Sequence, residues 1–100
     1  MRYHFDWDPS KEASNVRKHQ VDFRRAATIF RDLNQLSVYD DEHSTEEDRW
    51  ISLGIDGSGV LQVVVHTYAQ VSEDRCEIRI ISARKATLSE SNQYNAGIEL

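Results

Sequence analysis

Residues 49–68 decide the fold: Arg49-Trp-Ile-Ser-Leu-Gly-Ile55, Asp56-Gly-Ser-Gly59, Val60-Leu-Gln-Val-Val-Val-His-Thr-Tyr68. In the first run Ile51, Leu53 and Ile55 alternate with Trp50, Ser52 and Gly54, the period-two pattern of a strand. Asp56-Gly-Ser-Gly59 is a strong turn signal, so the two runs form a hairpin. Val60 to Val65 carries apolar residues on both faces, which places that strand in the centre of its sheet.

Working outward, Ala69 to Asp74 reads as a polar loop. Arg75 to Ala83 alternates again, with Cys76, Ile78 and Ile80 on one face and Arg75, Glu77 and Arg79 on the other. Upstream, Leu36-Ser-Val-Tyr-Asp40 reads as a short strand, followed by an acidic loop, Asp41 to Asp48, too polar to pack. Tyr3, Phe5 and Trp7 alternate with His4 and Asp6 in a first strand with an aromatic face. Asp8-Pro9 starts a helix running to about Lys18, because Asp caps exposed N–H groups and Pro at the first helical position loses nothing. Asp22 caps a second helix in which Phe23, Ala26, Ala27 and Phe30 form one apolar stripe. Thr87-Leu-Ser-Glu90 fits a capping box, giving a last helix over about Leu88 to Asn95, and the tail from Gly97 to Leu100 is expected to fray. The order β-α-α-β-β-β-β-α predicts a single α+β domain over residues 1–100. Its small antiparallel sheet carries two N-terminal helices and one C-terminal helix on one face.

The 100 residues are 39% hydrophobic and 29% charged, with 1 Pro and 4 Gly, a globular composition. The lone Cys76 excludes an internal disulfide framework and a cysteine-rich zinc site, and its face, shared with Ile78 and Ile80, reads as core. His43 among Asp40, Asp41 and Glu42 matches no calcium loop, so no metal or other cofactor is expected. No apolar run can span a bilayer and the start lacks the apolar segment of a secretory signal, so the cytoplasm is the expected compartment. The formal net charge of −5 argues mildly against a nucleic-acid protein. Yet six acidic residues crowd into residues 40–48, while basic ones cluster at Arg17/Lys18, Arg24/Arg25 and Arg79/Arg84/Lys85. A local positive surface is compatible with the acidic total.

Each candidate for chemistry has two readings. Arg79 and Arg84 offer planar forks of donors that suit phosphate and could stabilise the phosphorane formed when a 2′-hydroxyl attacks its own phosphodiester. Equally they fit a solvated strand face, with Glu77 pairing Arg79 or Arg75. His66 is either a proton carrier or a core-edge histidine satisfied by a carbonyl. Lys18 and His19 either grip RNA phosphate and carry a proton, or simply complement the dipole at a helix C-terminus.

Taken together, Phe5-Asp-Trp-Asp-Pro-Ser-Lys11, Asn15-Val-Arg-Lys-His19 and Val21-Asp-Phe23 with Ala26-Ala27 resemble the opening of the BrnT family of toxins. Arg49-Trp-Ile-Ser-Leu-Gly54, Val64-Val-His-Thr67 and Arg79-Ile-Ile-Ser-Ala-Arg-Lys-Ala86 match its other blocks, with Glu90 and Tyr94 in its last helix. The resemblance implies a RelE-like α+β fold and the toxin half of a bacterial type II toxin–antitoxin pair. It also implies metal-independent endonucleolytic cleavage of RNA that halts translation. The implied partner is a BrnA-like ribbon-helix-helix antitoxin, in a heterotetramer of two toxins and two antitoxins, with operator DNA reached only through the antitoxin. Lys18, His19, Arg49, His66, Arg79 and Arg84 lie in matching motif positions. On that resemblance Arg79 and Arg84 would stabilise the phosphorane, Lys18 and Arg49 would position phosphates, and His66 or His19 would carry the proton. Two features depart from the family. Gln20 stands where Gly is frequent, at a cost of about 1 kcal/mol if its φ is positive, and the last helix has no Lys or Arg. The acidic loop and the neutral last helix favour a second reading, an antitoxin-binding module with little or no nuclease activity that acts in operon co-repression, while the intact basic motif positions favour the first.

Overall fold

The computed structural model describes residues 2–45 and 47–97. A six-stranded sheet runs β1 (Arg2–Trp7), β6 (Arg75–Lys85), β4 (Leu61–Thr67), β3 (Arg49–Ile55), β2 (Leu36–Tyr39) in spatial order, with β5 (Ala69–Ser72) also paired to β6. The expected β3–β4 hairpin forms, with Ser52 opposite Val64 and Leu53 opposite Val63. Its turn closes through Gly59 N–H on Asp56 O, with Gly59 in the left-handed region at φ 86°. The strand with apolar residues on both faces, β4, is central as expected.

The all-antiparallel expectation is corrected at one edge, where β1 pairs with β6 in parallel. Short turns dictate antiparallel pairing only between successive strands, and β1 and β6 stand at opposite ends of the chain. The polar loop expected over Ala69 to Asp74 contains β5. All four of its residues are exposed, so this edge strand has no buried face to produce an alternating pattern. The second helix is shorter than its apolar stripe: α2 covers Phe23–Ala27 and tightens into a 3-10 turn over Thr28–Arg31.

α1 (Pro9–His19), α2 and the 3-10 turn cover one face. Val21, Phe23, Ala26 and Ile29 pack there against Val64, Ile78, Ile80 and Ala83, flanked by Phe5, Trp7 and Phe30. The third helix, α3 (Leu88–Ala96), lies on the opposite face, which corrects the prediction of helices on one face only. Its capping box is formed, yet it buries no residue, and Leu88 is 79% exposed. Polar bonds hold it: Tyr94 Oη donates to Asp32, and Glu90 pairs with Arg84. Gly97 closes α3 in the left-handed region, while the fraying expected of the tail falls on residues outside those described.

Candidate active site

The sheet face under α3, called here the open face, receives its cations through a bulge. Through Ile80, the even-numbered residues of β6 face the core. His66 then opposes Ile80 while Val65 opposes Ser82, so Ile81 is an extra residue. Beyond it Ala83 faces the core, and Arg84 joins Arg79 on the open face. In an unbroken strand, residues five apart point to opposite sides, so the bulge is what gives these two arginines a common face.

Asn15 pins that arrangement. Its amide donates to Val21 O at 3.0 Å and to Ala83 O at 2.8 Å, and its Oδ1 accepts from Ala83 N at 3.0 Å. β1 pairs with β6 only as far as Ile80, so a buried side-chain amide continues the ladder where the strand stops. The same contact fixes the end of α1 against the end of β6. There His19 and Arg84 line one open groove of about 620 Å³, with Val38, Ile51, Val63, Val65 and Glu90. Asn15 carried no signal of this role, since Asn on a surface helix ordinarily stays in solvent.

Arg84 meets Glu90 in a two-pronged pair, Nη1 to Oε1 and Nη2 to Oε2, each at 2.8 Å. The Arg84 guanidinium pulls the Glu90 carboxyl down to about 2, helped by Thr87 N–H against the opposing effect of burial, and Glu90 in turn raises Arg84. Arg79 is paired with Glu47, at the edge of the acidic segment. Its backbone N–H donates to Thr67 Oγ1 at 3.0 Å, and Thr67 opposes Arg49 across β4 and β3. Arg79 and Arg49 therefore flank Thr67, while Arg84 stands beside Val63. Four residues of strand separate the two ends, about 13 Å at ~3.3 Å per residue. Arg79 and Arg84 share a face but turn to carboxylates at opposite ends of it, so the expected joint grip on one phosphate is not formed. Arg49 is half-buried, with Nε making no hydrogen bond among the described residues. Lys18 and His19 are exposed on the last turn of α1, just before Gln20, which adopts the left-handed conformation at φ 56° that the sequence raised as costly.

His66 does not join this set. It lies on the covered face, 3% exposed, with Nε2 2.7 Å from Ser52 Oγ, Nδ1 2.9 Å from Thr67 O, and Phe30 edge-on at 4.8 Å. Burial lowers its pKa to about 4, opposed by the Thr67 carbonyl. It is the carbonyl-satisfied core-edge histidine, on the wrong side of the sheet to serve the arginines. Among the described residues no three of His, Cys, Asp and Glu converge as a metal-ligand group, and no helix is long and apolar enough to cross a membrane.

A mixed sheet with α1 and α2 on one face and basic residues at the rim of the other defines a small α+β protein. The solved structure of the Brucella abortus ribonuclease toxin, BrnT, matches it with a TM-score of 0.57 at 19% identity, over 87% of this chain and 99% of that one. The family model described as "Ribonuclease toxin, BrnT, of type II toxin-antitoxin system" matches residues 7–90, and the chain belongs to that family. No curated protein sequence matches it. Type II membership implies an antitoxin partner.

Proposed function

We propose that the protein is a metal-independent endoribonuclease that cuts RNA on the open face of its sheet and thereby arrests translation. The observation that carries this reading is the placement of His19 and Arg84 on one groove by the Asn15 contact. A substrate phosphate takes the place of the Glu90 carboxylate on Arg84, since each presents two acceptor oxygens to the same fork of donors. His19 accepts the proton of the 2′-hydroxyl. The 2′-oxygen then bonds to phosphorus, the bond to the 5′-oxygen breaks, and the imidazolium returns the proton to that leaving oxygen. The products are a 2′,3′-cyclic phosphate and a 5′-hydroxyl. Arg84 stabilises the charge that develops on the phosphorane, while Lys18, Arg49 and Arg79 hold neighbouring phosphates. The nucleophile is internal to the substrate, so a base and a charge clamp suffice.

The protein partner under this reading is a BrnA-like ribbon-helix-helix antitoxin in a 2:2 assembly, with operator DNA contacted through the antitoxin alone. A second reading, an antitoxin-docking subunit of a repressor, is favoured by one observation: Arg79 and Arg84 are both already neutralised by carboxylates. Purified protein incubated with RNA in EDTA separates the two. Nuclease action produces fragments with cyclic phosphate ends, and the His19→Ala variant slows their appearance about a hundredfold. Intact RNA after incubation with the wild-type protein leaves the docking reading.

A further inference from the structure

The covered face carries a second feature that the cleavage chemistry does not use. Where the helical layer ends at Phe30, a slot of about 240 Å³ opens beside β2. Its walls are the rings of Tyr3, Phe30, Trp50 and Tyr68, and its polar lining comes from Gln35, Ser37 and His66. The volume lies below the ~300–1,000 Å³ of sites for drug-sized molecules, which leaves room for a single flat ring system.

Hydrogen-bond directions along its floor are fixed. Thr67 O can only accept, so His66 Nδ1 carries the ring proton, and in a neutral, buried imidazole Nε2 must then accept. Ser52 therefore donates to His66 at 2.7 Å, and its Oγ accepts from the Ser37 hydroxyl, also at 2.7 Å. The proton of Ser37 is thus committed inward, and this exposed hydroxyl offers the slot only lone pairs. The Gln35 side-chain amide makes no hydrogen bond among the described residues and supplies the complementary N–H donor. Arg2 borders Tyr3 on one side, and Arg24 and Arg31 border Phe30 on the other. All three are exposed and without an ion pair among the described residues, unlike Arg79 and Arg84.

We propose that this slot binds one unpaired base of single-stranded RNA. The base stacks on Trp50 and Tyr3 and gives an N–H to Ser37 while accepting from Gln35, and its flanking phosphates lie against Arg2 and Arg31. Aromatic platforms interleaved with arginines hold single strands in this way, and a donor beside an acceptor matches the Watson–Crick edge of a flat base. The choice of an RNA base rests on the RNA-cleaving reading. The slot's fit to a flat ligand with an N–H donor beside an acceptor does not.

Short 2′-O-methyl oligoadenylate and oligouridylate, which lack the attacking hydroxyl, are titrated into the Trp7→Phe protein with Trp50 fluorescence as the readout. Both oligomers quench Trp50, an abasic strand of the same length binds about tenfold more weakly, and Ser37→Ala weakens binding of both oligomers. In the wild-type protein the Trp50 indole N–H resonance shifts on addition of oligoadenylate. Equal affinity for the oligomers and the abasic strand, unchanged affinity in folded Ser37→Ala, or resonance shifts confined to the Arg84 groove would each overturn the proposal. Arg84→Ala retains slot binding while losing cleavage, so failure of the slot and failure of the nuclease reading give different results.

Discussion

His66 and Arg84 stand on opposite faces of the same sheet, and each is engaged by hydrogen bonds, but the two engagements differ in kind. The bonds of His66 go to Ser52 and to the Thr67 carbonyl beneath the helical layer, where the residue is 3% exposed. Removing either partner leaves an orphaned polar group in the interior, so the arrangement serves the fold. Arg84 is bound to Glu90 on a helix that buries no residue, beside an open groove. There solvent or an incoming phosphate can take the carboxylate's place at small cost. A hydrogen-bonded ionisable group is thus structural or functional according to what can replace its partner, and burial decides that.

The sharpest way to break this contrast is through Asn15, which is buried but sets the geometry of the exposed groove. Asn15→Ala removes three hydrogen bonds and orphans Ala83 N–H and C=O. It lowers stability by about 2–4 kcal/mol in urea unfolding and disturbs cleavage although Asn15 touches no substrate. The pH dependence of stability comes next. The folded pKa of His66 lies below its unfolded value of 6.5, at about 4. The unfolded chain therefore takes up a proton first as pH falls. Stability is fully present above pH 6.5 and declines by up to about 3 kcal/mol on the way down to pH 4. His66→Gln flattens that slope. Glu90 depends on pH in the same direction but in a lower window, its contribution being lost only as pH falls from its ordinary range towards 2.

RNA affinity tests the other face. With Lys18, Arg49, Arg79 and Arg84 each neutralising one phosphate, log affinity falls against log salt with a slope of about −3, a loss of roughly fiftyfold between 50 and 200 mM salt. A slope near zero means that the four do not act together. The smallest effect is local: Gln20→Gly relieves the left-handed residue after α1 and raises the urea midpoint, worth about 0.5–1 kcal/mol.

The hairpin over residues 49–68, the caps at Asp8, Asp22 and Thr87, and the interior position of Cys76 were legible in the sequence because each depends on near neighbours in the chain. The parallel pairing of β1 and the opposite placement of α3 depend on where distant segments meet, and no local pattern encodes them. The site was legible as a set of basic residues but not as a geometry. The extra residue at Ile81 shifts the parity of β6, so that Arg79 and Arg84 share a face that simple alternation denies them. His66 was misplaced for the converse reason. Its strand position was readable, but which face the helices cover was not.

The central claim is that Arg84 is held by Glu90 in a form that substrate phosphate can displace. It is tested most directly by RNA cleavage rates for Arg84→Ala and Glu90→Gln beside the wild type in EDTA, with RNA affinity measured in parallel. Glu90→Gln keeps an oxygen for the Thr87 cap while removing the competing charge. It binds RNA about three- to fivefold more tightly. Arg84→Ala loses about a hundredfold or more in rate with its fold intact. Undiminished cleavage by folded Arg84→Ala contradicts the account.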